Sequence, residues 1–146
     1  TLEVIRMTAL ENEDRKVSEM IEALSGQMHY LIGPVQDMVP LEKELENIQS
    51  YIYLLNCRIT GKILLSIQAP GSAHIQVPKL ILQPIVENAY VHGIKPKNGR
   101  GSILIETTRL GERLEISVMD NGAGMDETAL KRLEDLLAAQ EPGINN

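Results

Sequence analysis

Apolar residues recur at helical intervals along the first part of this chain and at alternating positions further on, and the changes of period mark out its elements. Leu2, Ile5, Ala9 and Leu10 predict a short helix, stopped by the polar run Glu11-Asn12-Glu13-Asp14. Val17, Ile21, Leu24, Met28 and Leu31 then form one stripe of a second helix, ended by Gly33-Pro34. After a loop from Gly33 to Pro40, Leu41, Leu45, Ile48, Ile52, Leu55 and Ile59 predict a third helix, with Glu42, Glu44 and Glu46 near the favourable end of its dipole. Lys62 to Ala69 alternates as a strand and stops at Pro70-Gly71. Helical spacing returns from Pro78 to His92, where Pro84 implies a kink or a fresh first turn and Gly93 a cap. Ser102 to Arg109 and Glu112 to Asp120 predict a hairpin around Leu110-Gly111 that buries Ile103, Ile105, Leu114, Ile116 and Val118. Asp126 can cap a last helix carrying Leu130, Leu133 and Leu137. The expected fold class is α+β, a helical hairpin followed by helices layered on an antiparallel or mixed sheet.

The stripe from Val17 to Leu31 is narrow and its flanks are charged, which suits a seam between helices of a bundle and makes a homodimer the economical expectation. With 146 residues the chain can bury one core. Phe and Trp are absent, so that core rests on Ile, Leu, Val and Met. An excess of 20 acidic over 14 basic residues argues against nucleic acid as a partner. Cys57 is alone, which excludes an intrachain disulfide and suits a reducing compartment. No apolar run approaches the roughly 20 residues needed to span a bilayer.

Two constellations could carry chemistry. Along Gln83-Pro84-Ile85-Val86-Glu87-Asn88-Ala89-Tyr90-Val91-His92-Gly93, helical spacing sets Asn88 and His92 on one face with Glu87 beside them. An amide oxygen is a reasonable ligand for Mg²⁺, a carboxylate can accept a proton or orient water, and histidine or lysine can meet phosphate. Lys95 and Lys97 add charge just beyond. The second constellation, Asp120-Asn121-Gly122-Ala123-Gly124-Met125, sits between a strand and a helix. Its glycines let backbone approach a ligand, and Asp120 could accept from an amino group such as that of adenine. Taken singly, solvated polar residues at a helix end and a plain glycine turn explain each as well.

Together they resemble one superfamily. Glu87-Asn88-Ala89 with His92-Gly93 is similar to the N box, and Asp120 to Met125 to the first glycine box, of Bergerat-fold (GHKL) ATPases. The lead-in Pro78-Lys79-Leu80-Ile81-Leu82-Gln83-Pro84 and the helix opening Leu41-Glu42-Lys43-Glu44-Leu45 narrow the resemblance to YesM/LytS-type sensor histidine kinases, over nearly the whole chain. The resemblance implies a two-layer α/β sandwich, incomplete at its C-terminus and preceded by a helical hairpin. Residues 1–38 would be part of the dimerisation and phosphoacceptor hairpin, and residues 39–146 the N-terminal part of the ATP-binding catalytic domain.

Residue by residue, the resemblance implies Asn88 as the Mg²⁺ ligand, Glu87 as the catalytic or water-orienting carboxylate, and Asp120 as the acceptor for the adenine amino group. Gly122 and Gly124 would line the nucleotide pocket, with His92 and Lys95 toward the phosphates. The implied activity is ATP-dependent histidine autophosphorylation and relay to a response regulator protein, in the cytoplasmic domain of a bacterial plasma-membrane sensor whose membrane regions lie outside these residues. Two alternatives share the motifs. One is another GHKL ATPase, against which the helical hairpin speaks; the other is a non-catalytic dimeric module.

In the family the acceptor histidine lies just upstream of residues like Thr1 to Arg6, and a second glycine box follows the stretch that ends here at Asn146. Neither is expected among these residues, so the chain alone is expected to be inactive, with weakened phosphate contacts and an open sheet edge. His29 and His74 match no acceptor motif and carry no expected role.

Overall fold

A computed structural model describes residues 2–12, 14–33 and 37–140. Two antiparallel helices lead, α1 (Leu2–Glu11) and α2 (Arg15–Ile32). The Asp14 side chain caps α2 by accepting from the Val17 N–H at 3.2 Å. Helix α3 (Leu41–Arg58) follows a short strand, β1 (Met38–Pro40), and packs against α2 on one side and the sheet on the other. Strands β2 (Ile63–Gln68), β3 (Gln76–Pro78), β4 (Gly101–Leu110) and β5 (Arg113–Asp120) complete the extended structure. Between β3 and β4 run α4 (Gln83–Asn88), a π-helical turn (Ala89–Ile94) and a 3₁₀ turn (Lys95–Lys97); α5 (Glu127–Gln140) comes last.

The main sheet is mixed, in the order β2-β4-β5, with β2 parallel and β5 antiparallel to β4. A two-stranded antiparallel ladder of β1 with β3 stands apart from it. The expected α+β class and its helical start are therefore present, with the sheet resolved as mixed. Helical spacing turned Leu41, Leu45, Ile48, Ile52 and Leu55 inward, where they meet Ile63, Ile103 and Ile105 from the sheet and Val86, Tyr90 and Ile94 from the segment after β3. Leu114, Ile116 and Val118 are half-buried rather than buried, because β5 is one of the sheet's two edge strands.

Two sequence expectations need correction. Pro78 does not begin a helix; Gln76–Pro78 pairs with Met38–Pro40, a strand hidden in the segment read as a loop. Helix begins only at Gln83, with Pro84 in its first turn, where the missing N–H has no intrahelical partner to lose. From Ala89 the backbone winds as a π-helix rather than continuing as α-helix to His92.

A buried carboxylate joins these layers. Glu44, on the inner face of α3, is 1% exposed. It accepts from the Tyr30 hydroxyl of α2 through Oε2, and from the Leu82 N–H just before α4 through Oε1 at 3.3 Å. Burial first, and the Glu44 carboxylate second, raise the Tyr30 phenol above the ordinary tyrosine value. The Tyr53 phenol, between α3 and α2, is pushed up to about 12, chiefly by desolvation.

Raised folded-state values mean that the tyrosines' contribution to stability is complete below pH 10.0 and fades as the pH climbs through the folded values. Replacing Tyr30 by Phe should cost roughly 1.5–3 kcal/mol in urea unfolding at neutral pH, the range for a hydrogen bond to a charged group, and should shrink the alkaline loss. Ile48, wholly buried on α3, should cost about 2–5 kcal/mol as Ile48→Ala. An unchanged unfolding midpoint in either variant would contradict the packing described.

Candidate nucleotide site

The two constellations of the sequence, separated along the chain by β4 and β5, meet in space. Strand β5 ends at Asp120 beside the π-helical turn, and the loop after it lies against Gly93. The Ala123 N–H donates to the Gly93 carbonyl at 2.9 Å. A methyl group on Gly93 would come within 2.6 Å of Asp120 Oδ1, and one on Gly122 would overlap the Gly93 Cα. A side chain on Gly93 would therefore displace the Asp120 carboxylate, whereas Gly122 requires glycine for the approach of one backbone to another. Gly124 requires it for a different reason: its φ is +73°, with open space where a side chain would stand.

Asp120 is exposed, and its Oδ1 accepts from the Gly122 N–H at 2.8 Å, which fixes the carboxylate over the turn. Its second oxygen has no partner among the described residues. Asn121 pins the same loop to the sheet: its Oδ1 accepts from the Ser102 N–H at 2.7 Å, and its carbonyl accepts from Lys97 Nζ at 2.7 Å. These are structural anchors within a motif whose glycines and aspartate drew the attention in the sequence. Lys97 thus braces the loop, while Lys95 is exposed and free of ion pairs among the described residues.

On the other side, Glu87 and Asn88 close α4 and His92 lies in the π-helical turn, all three exposed. Glu87 Oε1 accepts from Gln83 Nε2 at 2.8 Å, one helical turn earlier. Gln83 is itself buried, and its Oε1 accepts from Asn47 Nδ2 of α3 at 2.8 Å. Neither Gln83 nor Asn47 stood out in the sequence as a site residue. Gln83 lay in the lead-in to the N-box-like stretch, but Asn47 carries no local signal, since only the packing of α3 on α4 brings it there.

The Gly93–Gly122 contact thus joins the two segments, with Asp120 beside it and Glu87, Asn88 and His92 on the segment that leads to Gly93. Among the described residues no group of three or more His, Cys, Asp or Glu could hold a metal ion alone. Asn88, whose side chain makes no hydrogen bond among the described residues, could contribute only one ligand oxygen to an ion otherwise held by phosphate and water.

Residues 1–63 match the family model described as histidine kinase, and residues 74–142 the model described as histidine kinase-, DNA gyrase B-, and HSP90-like ATPase. The chain is 34% identical over 126 residues to the sensor histidine kinase YpdA of Escherichia coli (strain K12), covering 86% of this chain and 22% of that protein. It is 34% identical over 96 residues to the sensor protein LytS of Oceanobacillus iheyensis, covering 65% and 16%. With the sensor histidine kinase YesM of Bacillus subtilis (strain 168) the identity is 29% over 132 residues, covering 90% and 23%. The chain thus spans about a fifth of the length of the curated relatives it matches. Adjoining family models that meet within a single fold, and relatives that bear the same description, lead to one conclusion: the chain belongs to the sensor histidine kinase family, with the ATPase domain of that family as its second half.

Proposed function

We propose that residues 1–38 are part of a dimerisation hairpin and residues 39–146 the adenine-binding part of the catalytic domain of a histidine kinase that autophosphorylates with Mg-ATP and passes the phosphoryl group to a response regulator. The observation that carries this reading is the junction of the two motifs. A carboxylate held by a backbone N–H stands, exposed and with one oxygen unengaged among the described residues, beside two glycines that present no side chain to a ligand.

The chemistry of the donor set fits such a ligand. Asp120 keeps one carboxylate oxygen for the exocyclic amino group of adenine, while Gly122 and Gly124 shape the loop around it. Asn88 would offer its amide oxygen to Mg²⁺, and His92 and Lys95 supply donors on the phosphate side. When bound, Mg-ATP supplies an activated phosphoryl group with much of its charge neutralised. Glu87, with Oε1 engaged by Gln83, retains Oε2 to take a proton from the attacking imidazole or to orient it. That imidazole would come from outside these residues; His29 on α2 and His74 after β2 remain without an assigned role.

The hairpin supports the dimer reading in its own way. Val17, Leu24, Met28 and Leu31 stay exposed on α2, so the apolar stripe is not consumed by packing within the chain. No helix among the described residues is long and apolar enough to cross a membrane, and attachment to a membrane sensor would be through other segments.

In the full-length protein, Asp120→Ala should weaken ADP binding by roughly 10- to 100-fold in calorimetry, the worth of one hydrogen bond to a charged group. Gly93→Ala, which displaces that carboxylate without removing it, should weaken binding in the same direction with unchanged circular dichroism. Undiminished affinity in both would sink the adenine assignment. Separately, Leu24→Glu should convert a sedimenting dimer to monomer, and a wild type that sediments as a monomer would refute the seam.

A further inference from the structure

We infer that Asn47 and Gln83 are positioning residues for the Glu87 carboxylate, a buried amide pair that runs from the core helix α3 to the exposed carboxylate near the end of α4. This rests on the proposed role of Glu87. Glu87 itself is exposed, and without a fixed partner an exposed carboxylate at a helix end explores several rotamers. Gln83 removes that freedom by donating Nε2–H to Oε1 at 2.8 Å.

What holds Gln83 in turn is Asn47, which donates Nδ2–H to Gln83 Oε1 at 2.8 Å with both side chains buried. Each amide has two ends, and the pair could be assembled the other way round. With both amides reversed, Gln83 Nε2 would donate to Asn47 Oδ1, and Gln83 Oε1 would point at a Glu87 oxygen, acceptor against acceptor. The observed orientation avoids that clash at a visible cost: Asn47 Oδ1 is buried with no hydrogen-bond partner. Reversal would leave Asn47 Nδ2 unpaired in place of Oδ1, so the amide pair by itself is indifferent between the two orientations. The Glu87 carboxylate, which needs a donor, selects the observed one.

The remaining polar groups around the pair are accounted for elsewhere. Glu44, one turn earlier on α3, is engaged by Tyr30 and the Leu82 N–H, and Tyr51 keeps its proton because burial, and next the Glu87 charge, raises its phenol. Asn47 and Gln83 therefore act on Glu87 without a competing partner among the described residues, and their effect should appear in the rate of phosphoryl transfer rather than in the affinity for nucleotide.

The test uses the full-length kinase and autophosphorylation from labelled ATP. Gln83→Met keeps the length of the side chain and removes both hydrogen bonds. It should lower the rate at saturating ATP by roughly tenfold or more, the order expected when a general base is misplaced, with the KM for ATP changed by less than about twofold. Asn47→Leu trades the orphan Asn47 oxygen for an unpaired Gln83 Oε1, and it should slow the reaction in the same way with the KM for ATP likewise unchanged, a split that a merely structural role would not produce. In a Glu87→Gln background the Gln83→Met effect should disappear.

A Gln83→Met or Asn47→Leu enzyme as fast as wild type, beside a slow Glu87→Gln enzyme, overturns the positioning role and leaves the role of Glu87 standing. A Gln83→Met effect that persists undiminished in the Glu87→Gln background overturns it as well. A Glu87→Gln enzyme as fast as wild type removes the carboxylate's role, and the positioning role with it. If Gln83→Met fails to fold, Asn47→Leu decides the matter alone.

Discussion

A carboxylate sealed inside a protein must find hydrogen-bond donors, and the donors Glu44 finds tie together the parts of this molecule. One is the Tyr30 hydroxyl at the end of the helical hairpin, and the other is the Leu82 N–H at the entry to α4. Glu44 itself rides on α3, whose apolar face supplies the centre of the core. The hairpin, the core helix and the start of the helix that carries Glu87 and Asn88 are thereby fixed to one buried group. Removal of either donor strands charge in the interior, which costs far more than the loss of an exposed ion pair such as Arg6 with Glu3.

From that fixed entry the rest of the site follows by steric exclusion. The chain leaves α4 as a π-helical turn, reaches Gly93, and there meets the loop after β5. The backbones approach so closely that no side chain fits on Gly122, and the Asp120 carboxylate takes the space beside Gly93. Lys97 and Asn121 brace the loop from beneath, one from the turn after Ile94 and one through the Ser102 N–H of β4. Preorganisation of this kind suits a site whose work is chiefly to hold a charged ligand in place.

Where the core is tightly closed on one side, apolar surface is left uncovered on the other. The α2 stripe and the whole of α5 from Glu127 to Ala139 face solvent within the described residues, and the edge strand β5 is only half-covered. The seam on α2 is regular enough to suit a second helix pair, in keeping with the proposed dimer.

Repetition along the chain determined most of the elements, because burial on one face imposes a period that can be read without coordinates: α2, α3, β2 and the β4–β5 hairpin lie where the spacing of Val, Ile, Leu and Met puts them. Resemblance to the N box and first glycine box grouped Glu87, Asn88, Asp120, Gly122 and Gly124, and local side-chain type marked Asp126 as the cap of α5, where its Oδ1 accepts from the Ala129 N–H at 2.7 Å. Tertiary structure decided what no period encodes. Strands β1 and β3 are three residues each, too short to show alternation, and exist because they pair with one another. The π-helical turn leaves the sequence pattern of an α-helix unchanged. The contact of Gly93 with Gly122, the burial of Glu44, and the meeting of Asn47 with Gln83 join residues remote in the chain, and a hydrogen bond or steric exclusion between remote residues leaves no trace in the local spacing of either partner.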